Sequence, residues 1–224
     1  MSLIPYTAGG GHASGALLTF ASSGIKYIHS ASSSQTYSSQ GIGVASSDRV
    51  VLVSIYSVAN TTSVVQSITC GGVSMTELEA VNYGSYGKSA IWGVAYPTGT
   101  TADIVVTYLG APDRNCIGVH ALTGTAGDFT KFDAASDSGS HTMSTTLDIP
   151  ANGAVLVTAG SNESGAFSAD AGFTEDWEES NTSPATGSAG GGSASLLAAE
   201  TARTITVTTG GSAYETLLAI SFGP

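Results

Sequence analysis

The sequence predicts an all-β protein, an antiparallel β-sandwich of jelly-roll-like type with an extended N-terminal arm. Three observations support this fold class. Gly, Ala, Ser and Thr make up more than half of the 224 residues, so the core must be thin. Charged residues are only 10% of the chain, fewer than helical surfaces normally carry. β-Branched and aromatic residues gather in short runs bounded by Gly, Pro, Asn or Asp, which is typical of strands.

The first 35 residues predict the arm, and residues 36–224 predict a single β-sandwich domain. The arm is rich in Gly and Ser and cannot bury enough apolar surface alone. We expect it to be either mobile or docked on another surface, such as a neighbouring subunit. Its expected assembly contacts are Pro5, Tyr6, Leu17 and Phe20.

From Arg49 onward the sequence predicts eleven closely spaced strands. Because no helical segments alternate with them, we expect antiparallel pairing. Gly71-Gly72 predicts a two-residue hairpin turn, since a Gly pair supplies the positive φ angles that this turn requires. The predicted strands are RVVLVSIYSV, VVQSITC, VSMTELE, KSAIWGVAY, TADIVVTYL, RNCIGVHAL, GAVLVTAGS, GFTEDWEE, SASLLAAET, RTITVTT and YETLLAISF.

One segment also fits a helix, because SASLLAAETAR has no β-branched residue before Thr201. We interpret its first nine residues as a strand, since it lies between other strands and tertiary context overrides so weak a preference. The preceding NTSPATGSAGGGS is interpreted as flexible.

Charge and cysteine content exclude several classes of function. The net charge is −11 and falls mostly in residues 113–224, so we expect no nucleic-acid partner. No apolar run approaches the roughly 18 residues of a membrane span, and the start of the chain lacks the pattern of a secretory signal. Cys70 and Cys116 match neither a zinc motif nor a disulfide framework, and free buried thiols are favoured over a disulfide.

Trp177 is a candidate binding residue because it lies in the densest acidic cluster, GFTEDWEES. A calcium site and a polar rim around an aromatic contact are the functional alternatives. The other interpretation is plain alternation, with Trp177 and Glu175 on one face of a strand and Asp176 on the other. The cluster lacks the spacing of a calcium loop, so no metal or other cofactor is expected.

Asp133, Asp137 and His141 recur every four residues, but KFDAASDSGSH is interpreted as a loop, in which this spacing has no meaning. His120 lies in a predicted strand without a ligand at metal spacing, and is expected to be a surface or satisfied interior residue.

Tyr83 and Tyr86 lie in NYGSYGK, and a loop aromatic flanked by Gly has little reason to be buried. They are therefore the best candidates for a binding tip. The nucleophile-elbow motif G-x-S-x-G is absent, so no catalytic residue is assigned and an enzyme is not expected. Two distant carboxylates acting on a polysaccharide remain the enzymatic alternative.

The order of segments resembles a β-sandwich domain shared by tailed-phage virion proteins and by bacterial surface and secreted adhesive proteins. The likeness covers about residues 45–224. It rests on DRVVLVSIYS, VVQSITCGGVSMTEL, AIWGVAYPTGTTADIVVTYLGA, IGVHALTG, GAVLVTAGSNES and ETLLAISFGP in this order.

The resemblance implies a jelly-roll-like sandwich used in adhesion or assembly, with no catalytic residues. The lack of a signal, of neighbouring repeats and of a sorting tail favours a virion protein made in the host cytoplasm. We expect a capsid decoration or head-surface module, with other virion proteins as partners and a homo-oligomer or symmetric array as its assembled form. The alternative is a receptor- or glycan-binding module of a tail or fibre.

Overall fold

The fold is described from a computed structural model that covers residues 15–24, 32–58, 65–84, 87–129, 131–139, 141–181, 186–210 and 214–224. All regular structure in these ranges is β-strand, so the predicted fold class is confirmed. The first half holds β1 (Leu17–Gly24), β2 (Ser34–Gly41), β3 (Val50–Val58), β4 (Val65–Cys70), β5 (Val73–Ser74), β6 (Thr76–Tyr83), β7 (Gly87–Ala95), β8 (Thr101–Tyr108) and β9 (Arg114–Thr123). The second half holds β10 (Lys131–Ser138), β11 (Thr142–Ile149), β12 (Gly153–Ser161), β13 (Ser168–Ala169), β14 (Thr174–Asn181), β15 (Gly187–Leu197), β16 (Glu200–Thr208) and β17 (Thr216–Phe222).

The strands form four antiparallel sheets, which pack as two sandwiches. In the first half, the first inner sheet has the order β1-β9-β3-β7-β6 and the first outer sheet the order β2-β8-β4-β5. In the second half, the second inner sheet has the order β10-β17-β12-β15-β14 and the second outer sheet the order β11-β16-β13. The molecule therefore has four layers where the sequence predicts two. The division of the chain at residue 36 stays a prediction.

The two halves are repeats of one topology. If β5 is set aside, β1 to β9 match β10 to β17 in chain order, in sheet membership and in neighbours within each sheet. Val53 pairs with Trp92 and Val119 as Val157 pairs with Gly192 and Ala219. When the two repeats are aligned by these equivalent positions, DRVVLVSIYS corresponds to NGAVLVTAGS. The chain thus contains an internal duplication that the sequence analysis did not detect.

The two inner sheets face each other, so equivalent surfaces of the two repeats form the centre of the molecule. β3 shows how the layers are separated, because its side chains alternate between two cores. Val51 and Val53 pack towards the first outer sheet, whereas Val50 and Leu52 pack against Leu156 and other residues of the second inner sheet. A third core lies between the second inner and outer sheets. The central strands β3, β12 and β17 are consequently buried on both faces.

The segment interpreted as flexible is in fact buried strand. Of NTSPATGSAGGGS, residues 182–185 lie outside the described residues, and Gly187 to Ser193 form most of β15, in the interior of the second inner sheet. Its glycines leave room for aromatic rings: a methyl group on Gly190 would lie 2.3 Å from Phe167, and one on Gly191 would lie 2.3 Å from Nε1 of Trp177. Close ring packing therefore explains why so Gly-rich a strand is stably buried.

Two strand predictions are corrected in their boundaries. SASLLAAET contains the end of β15, residues 198–199 and the start of β16, so it is the connection from the second inner sheet to the second outer sheet. VSMTELE is divided at Met75 between β5 of the outer sheet and β6 of the inner sheet. The Gly71-Gly72 hairpin is confirmed, with φ angles of 55° and 81° and Cys70 paired with Val73.

KFDAASDSGSH is not a loop over most of its length, since β10 spans Lys131–Ser138. Asp133 and Asp137 bind the neighbouring edge strand β11. The carboxylate of Asp137 accepts a hydrogen bond from Ser144 N at 3.0 Å, and that of Asp133 accepts one from Asp148 N at 2.7 Å. These carboxylates occupy N–H groups that an exposed strand edge would otherwise offer to another chain.

Within the arm, β1 is a strand of the first inner sheet of the same chain. β1 pairs with β9 from Leu17 opposite Thr123 to Gly24 opposite Ile117. Leu17 and Phe20 are thus held on an edge strand, whereas Pro5 and Tyr6 lie outside the described residues. Docking of the arm on a neighbouring subunit stays a prediction for residues 1–14.

Candidate functional site

The two repeats point in the same direction, which gathers their connections at two ends of the molecule. Arg114, at the start of β9, donates a hydrogen bond to the Asn162 carbonyl oxygen just after β12, at 3.2 Å. Tyr56 near the end of β3 packs on Gly160 near the end of β12. The ends of β3 and β12 therefore lie side by side.

We call this the loop end. Eight strands end there, four in each repeat: β1, β3, β6, β8, β10, β12, β14 and β16. The opposite end, where β3 and β12 begin, we call the base end.

Tyr83 lies at the loop end, but it is not a free tip. It is the last residue of β6 and is half-buried. Its ring packs against Tyr214, with 5.8 Å between ring centroids and 57° between ring planes. Tyr214 belongs to the second repeat, so the pair bridges the two repeats. Tyr86 lies outside the described residues.

Tyr214 was missed because the sequence analysis placed it at the start of a strand. It lies before β17, with a φ angle of 57° in the left-handed region that non-glycine residues rarely adopt. Its carbonyl oxygen accepts a hydrogen bond from the buried Tyr56 hydroxyl at 3.0 Å. The criterion that selected Tyr83, a loop aromatic flanked by Gly, does not select Tyr214, because its neighbours in GGSAYE are Ala213 and Glu215.

Glu215 follows Tyr214 and is fully buried. Oε1 accepts a hydrogen bond from the Thr209 hydroxyl, whereas Oε2 has no hydrogen-bond partner among the described residues. Burial raises the pKa of Glu215, and the Thr209 hydrogen bond and His141 oppose this. Such an unpaired buried carboxylate oxygen is costly for the fold.

The equivalent residue of the first repeat is Asn115, which occupies the same place beside its neighbouring strands. Its amide nitrogen donates to Gln35 at 2.8 Å, and its oxygen accepts a hydrogen bond from the Tyr37 hydroxyl. One repeat therefore has an amide bonded on both sides, where the other has a carboxylate with a free oxygen.

The base end carries an apolar groove of about 480 Å³. Its lining includes Leu17, Val44 and Leu196, whose exposed fractions are 43%, 83% and 59%. Leu196 has a φ angle of 55°, a conformation that favours glycine. Large apolar side chains grouped on a surface are typical of contact sites.

Trp177 lies in the core and not at a binding surface. Its exposed fraction is 4%, and its indole fits between Gly118 of β9 and Gly191 of β15. The expected alternation around it is wrong, because a bulge between Glu175 and Trp177 interrupts the register. As a result, Asp176 is also turned inward.

The inward carboxylate of Asp176 lies 3.6 Å from Nδ1 of His120, between the two inner sheets. Within the part of the chain that the structure describes, neither imidazole nitrogen has a hydrogen-bond partner, and the Phe20 ring packs edge-on against the imidazole at 5.4 Å between ring centroids. Burial lowers the pKa of His120 and raises that of Asp176. His120 is thus an interior residue, but not a satisfied one.

Within the described ranges, His, Cys, Asp and Glu form no group of three or more that could hold a metal ion. Cys70 and Cys116 are buried thiols that do not form a disulfide with each other. The described part of the chain contains no helix suited to crossing a membrane. No family model, curated protein or solved structure matches the chain.

Proposed function

We propose that this protein is a structural, adhesive component of a tailed-phage virion, a capsid decoration or head-surface module. Its partners are other virion proteins, and the proposal gives the chain no catalytic step. The resemblance in segment order supports the virion assignment. The two stacked sandwiches point in the same direction, so the molecule has two different ends. This supports a role in which one end attaches to the particle and the other faces outward.

The observation that carries the proposal is the apolar groove of the base end. Burying Leu17, Val44 and Leu196 against a partner would contribute about 25 cal/mol per Å² of apolar surface removed from water. Leu196 retains a large apolar side chain in a conformation that glycine would adopt without strain. Non-glycine residues in such strained positions concentrate at functional sites.

A symmetric array would strengthen this attachment. Repeated copies on a shell turn weak single contacts into firm binding, because each further contact forms at high effective concentration. β1 is the edge strand beside the groove, and the Ser195 hydroxyl bonds to both the N–H and the carbonyl oxygen of Leu18 on it.

The test is Leu196→Gly, which separates folding from attachment. Relief of the left-handed strain should raise the unfolding free energy by about 1 kcal/mol. Loss of the apolar side chain should lower incorporation into virions, measured as copies per purified particle by quantitative mass spectrometry. The matched control is Val73→Ser, at an exposed apolar position outside the groove lining.

Normal incorporation of a stabilised Leu196→Gly protein would rule out the groove as the attachment site. Absence of the wild-type protein from purified particles would overturn the virion proposal itself.

A further inference from the structure

The apolar groove of the base end lies between two walls, one from each repeat. Val44 belongs to the connection between β2 and β3, Leu196 lies near the end of β15, and Leu17 of β1 is also in the lining. All three side chains are exposed. Grouped apolar side chains on a free protein promote unwanted association unless another group covers them.

The Val44 wall is held in place by the side chain of Arg49. Its guanidinium donates a hydrogen bond to the Gly43 carbonyl oxygen at 2.9 Å, and others to three carbonyl oxygens of the connection between β7 and β8. On the other side of Val44, the Ser46 hydroxyl is hydrogen-bonded to the Asp48 carboxylate. The backbone on both sides of Val44 is thus tied to the fold, so its side chain is covered only if another group binds there.

The Leu196 wall is fixed in a similar way. The Ser195 hydroxyl binds both the N–H and the carbonyl oxygen of Leu18, at 2.8 and 3.0 Å. A methyl group on Gly15 would lie 2.8 Å from Cδ2 of Leu196, so the backbone at Gly15 packs directly against this side chain. Gly15 also lines the groove. The groove is therefore preformed, and the chain that precedes Gly15 starts at its wall.

The sequence before Gly15 contains one apolar segment that suits the groove. This segment is LIPY, residues 3–6, and its proline favours an extended backbone at the residue before it. Eight residues, TAGGGHAS, join the segment to Gly15 and span at most about 26 Å. Three of them are consecutive glycines, the residue type best able to reverse the direction of a chain. The segment is thus long enough and suitably connected to return to the groove.

A tether of this length makes even a weak contact effective. The effective concentration of a segment on a short linker is on the order of millimolar. A segment with a dissociation constant of that order therefore covers the groove about half of the time. In a micromolar solution, the segment of a second copy is roughly a thousandfold more dilute. This difference favours the chain's own segment as the occupant.

We propose that residues 3–6 dock in the base-end groove of the same molecule and cover it until the protein attaches to its partner. Apolar side chains of the segment pack against Val44 and Leu196. The docking depends on the groove and the tether, whereas its regulatory role rests on the proposed function, in which the groove is the attachment site. A partner that buries more apolar surface than the segment displaces it.

Disulfide trapping in the full chain tests the docking. Ile4→Cys and Val44→Cys are combined in one chain, which is oxidised in a glutathione buffer and analysed by non-reducing electrophoresis and peptide mass mapping. We expect an intramolecular disulfide that forms at least tenfold faster than in the control, which combines Ile4→Cys with Val73→Cys. Val73 is an exposed apolar residue outside the groove lining. The buried Cys70 and Cys116 are present in both proteins.

Dye binding measures the cover without a cross-link. Ile4→Asp should release the segment, because burial of a carboxylate among apolar groups is costly, and should raise the fluorescence of the apolar dye ANS at least twofold. Ala8→Asp is the control, since it places the same charge in the linker. The rise should disappear when Leu196→Gly is added to Ile4→Asp, because the groove then loses one wall. A cooperative melting transition in each variant shows that folded proteins are compared.

Two results would overturn the proposal. One is a disulfide that forms no faster than in the control, or equal dye binding by Ile4→Asp and Ala8→Asp. The other is a disulfide between two chains, seen as a dimer, which would show that the segment docks on a neighbouring subunit instead.

Virion incorporation separates this proposal from the proposed function, because trapping is measured on the isolated protein. If trapping succeeds and Leu196→Gly is incorporated normally, the segment covers the groove but the groove is not the attachment site. If trapping fails and Leu196→Gly lowers incorporation, the attachment site stands and only the cover is removed.

Discussion

Glycine positions determine where aromatic side chains fit between the sheets. The Trp177 indole requires Gly118 on one inner sheet and Gly191 on the other. Tyr56 likewise lies on Gly160 of the opposite repeat. Each ring fills the space that a side chain on the glycine would occupy. These glycines are therefore needed for close packing and not for backbone flexibility.

Gly191→Ala should therefore destabilise the protein. The added methyl group would overlap the Trp177 indole, and overpacking of this kind costs about 1–3 kcal/mol. Urea unfolding monitored by circular dichroism measures the loss. Gly223→Ala is the control, because its methyl group would make only an ordinary contact with Pro150 at 3.6 Å. Equal stability of the two variants would contradict the proposed indole slot.

Burial of the His120 imidazole lowers the folding stability of the protein. The equivalent position in the second repeat is Ile220, a core residue between the inner sheets. Replacing an unpaired buried polar group by an apolar one of suitable shape is neutral or stabilising.

His120→Ile should be at least as stable as wild type at pH 8, with a margin that grows as the pH falls below about 6.5. Burial holds the folded pKa of His120 near 3, so below about 6.5 only the unfolded wild-type chain takes up this proton. Wild type thus loses stability that the variant keeps. Urea unfolding at pH 8, 6 and 5 measures the difference. Asp176 is present in both proteins, and a pH-independent difference would argue against a buried neutral imidazole.

At the scale of elements, carboxylates accept hydrogen bonds from backbone N–H groups along the strands. Asp133 and Asp137 bind N–H groups of β11, and Asp170 binds that of Thr206 on β16 at 2.6 Å. Part of the acidic excess of the second repeat thus has a structural use. Asp176 has a different position, because a bulge in β14 interrupts the alternation of side chains and turns its carboxylate into the interior.

Asp137→Ala should expose the N–H group of Ser144 and lower the unfolding free energy by about 1 kcal/mol. The freed edge should also increase self-association, measured by light scattering at rising protein concentration. Asp137→Asn keeps an acceptor oxygen and should behave nearly as wild type. If Asp137→Ala and Asp137→Asn associate equally, charge and not hydrogen bonding protects the edge.

At the scale of the whole molecule, duplication explains both the four layers and the two ends. The inner sheets of the repeats share one core, with Leu52 and Ile91 from the first and Leu156 and Leu218 from the second. Because this core contains residues of both repeats, neither inner sheet keeps its buried surface if the other unfolds.

The two repeats should therefore unfold together. Trp92 reports on the core of the first sandwich, and Trp177 reports on the contact between repeats. Fluorescence of Trp92→Phe and Trp177→Phe variants should give urea transitions that each coincide with the circular dichroism transition of the same variant. Two separated transitions within one variant would show that the repeats are independent.

The sequence by itself determined the all-β fold class and the hairpin at Gly71-Gly72, since these depend on composition and local conformation. It also pointed to Tyr83. Only the tertiary structure decided that GSAGGGS is a buried strand, because its stability comes from rings supplied by distant residues. The pairing of Tyr83 with Tyr214 likewise depends on how the two repeats meet, and that packing of distant segments leaves no local pattern in the chain.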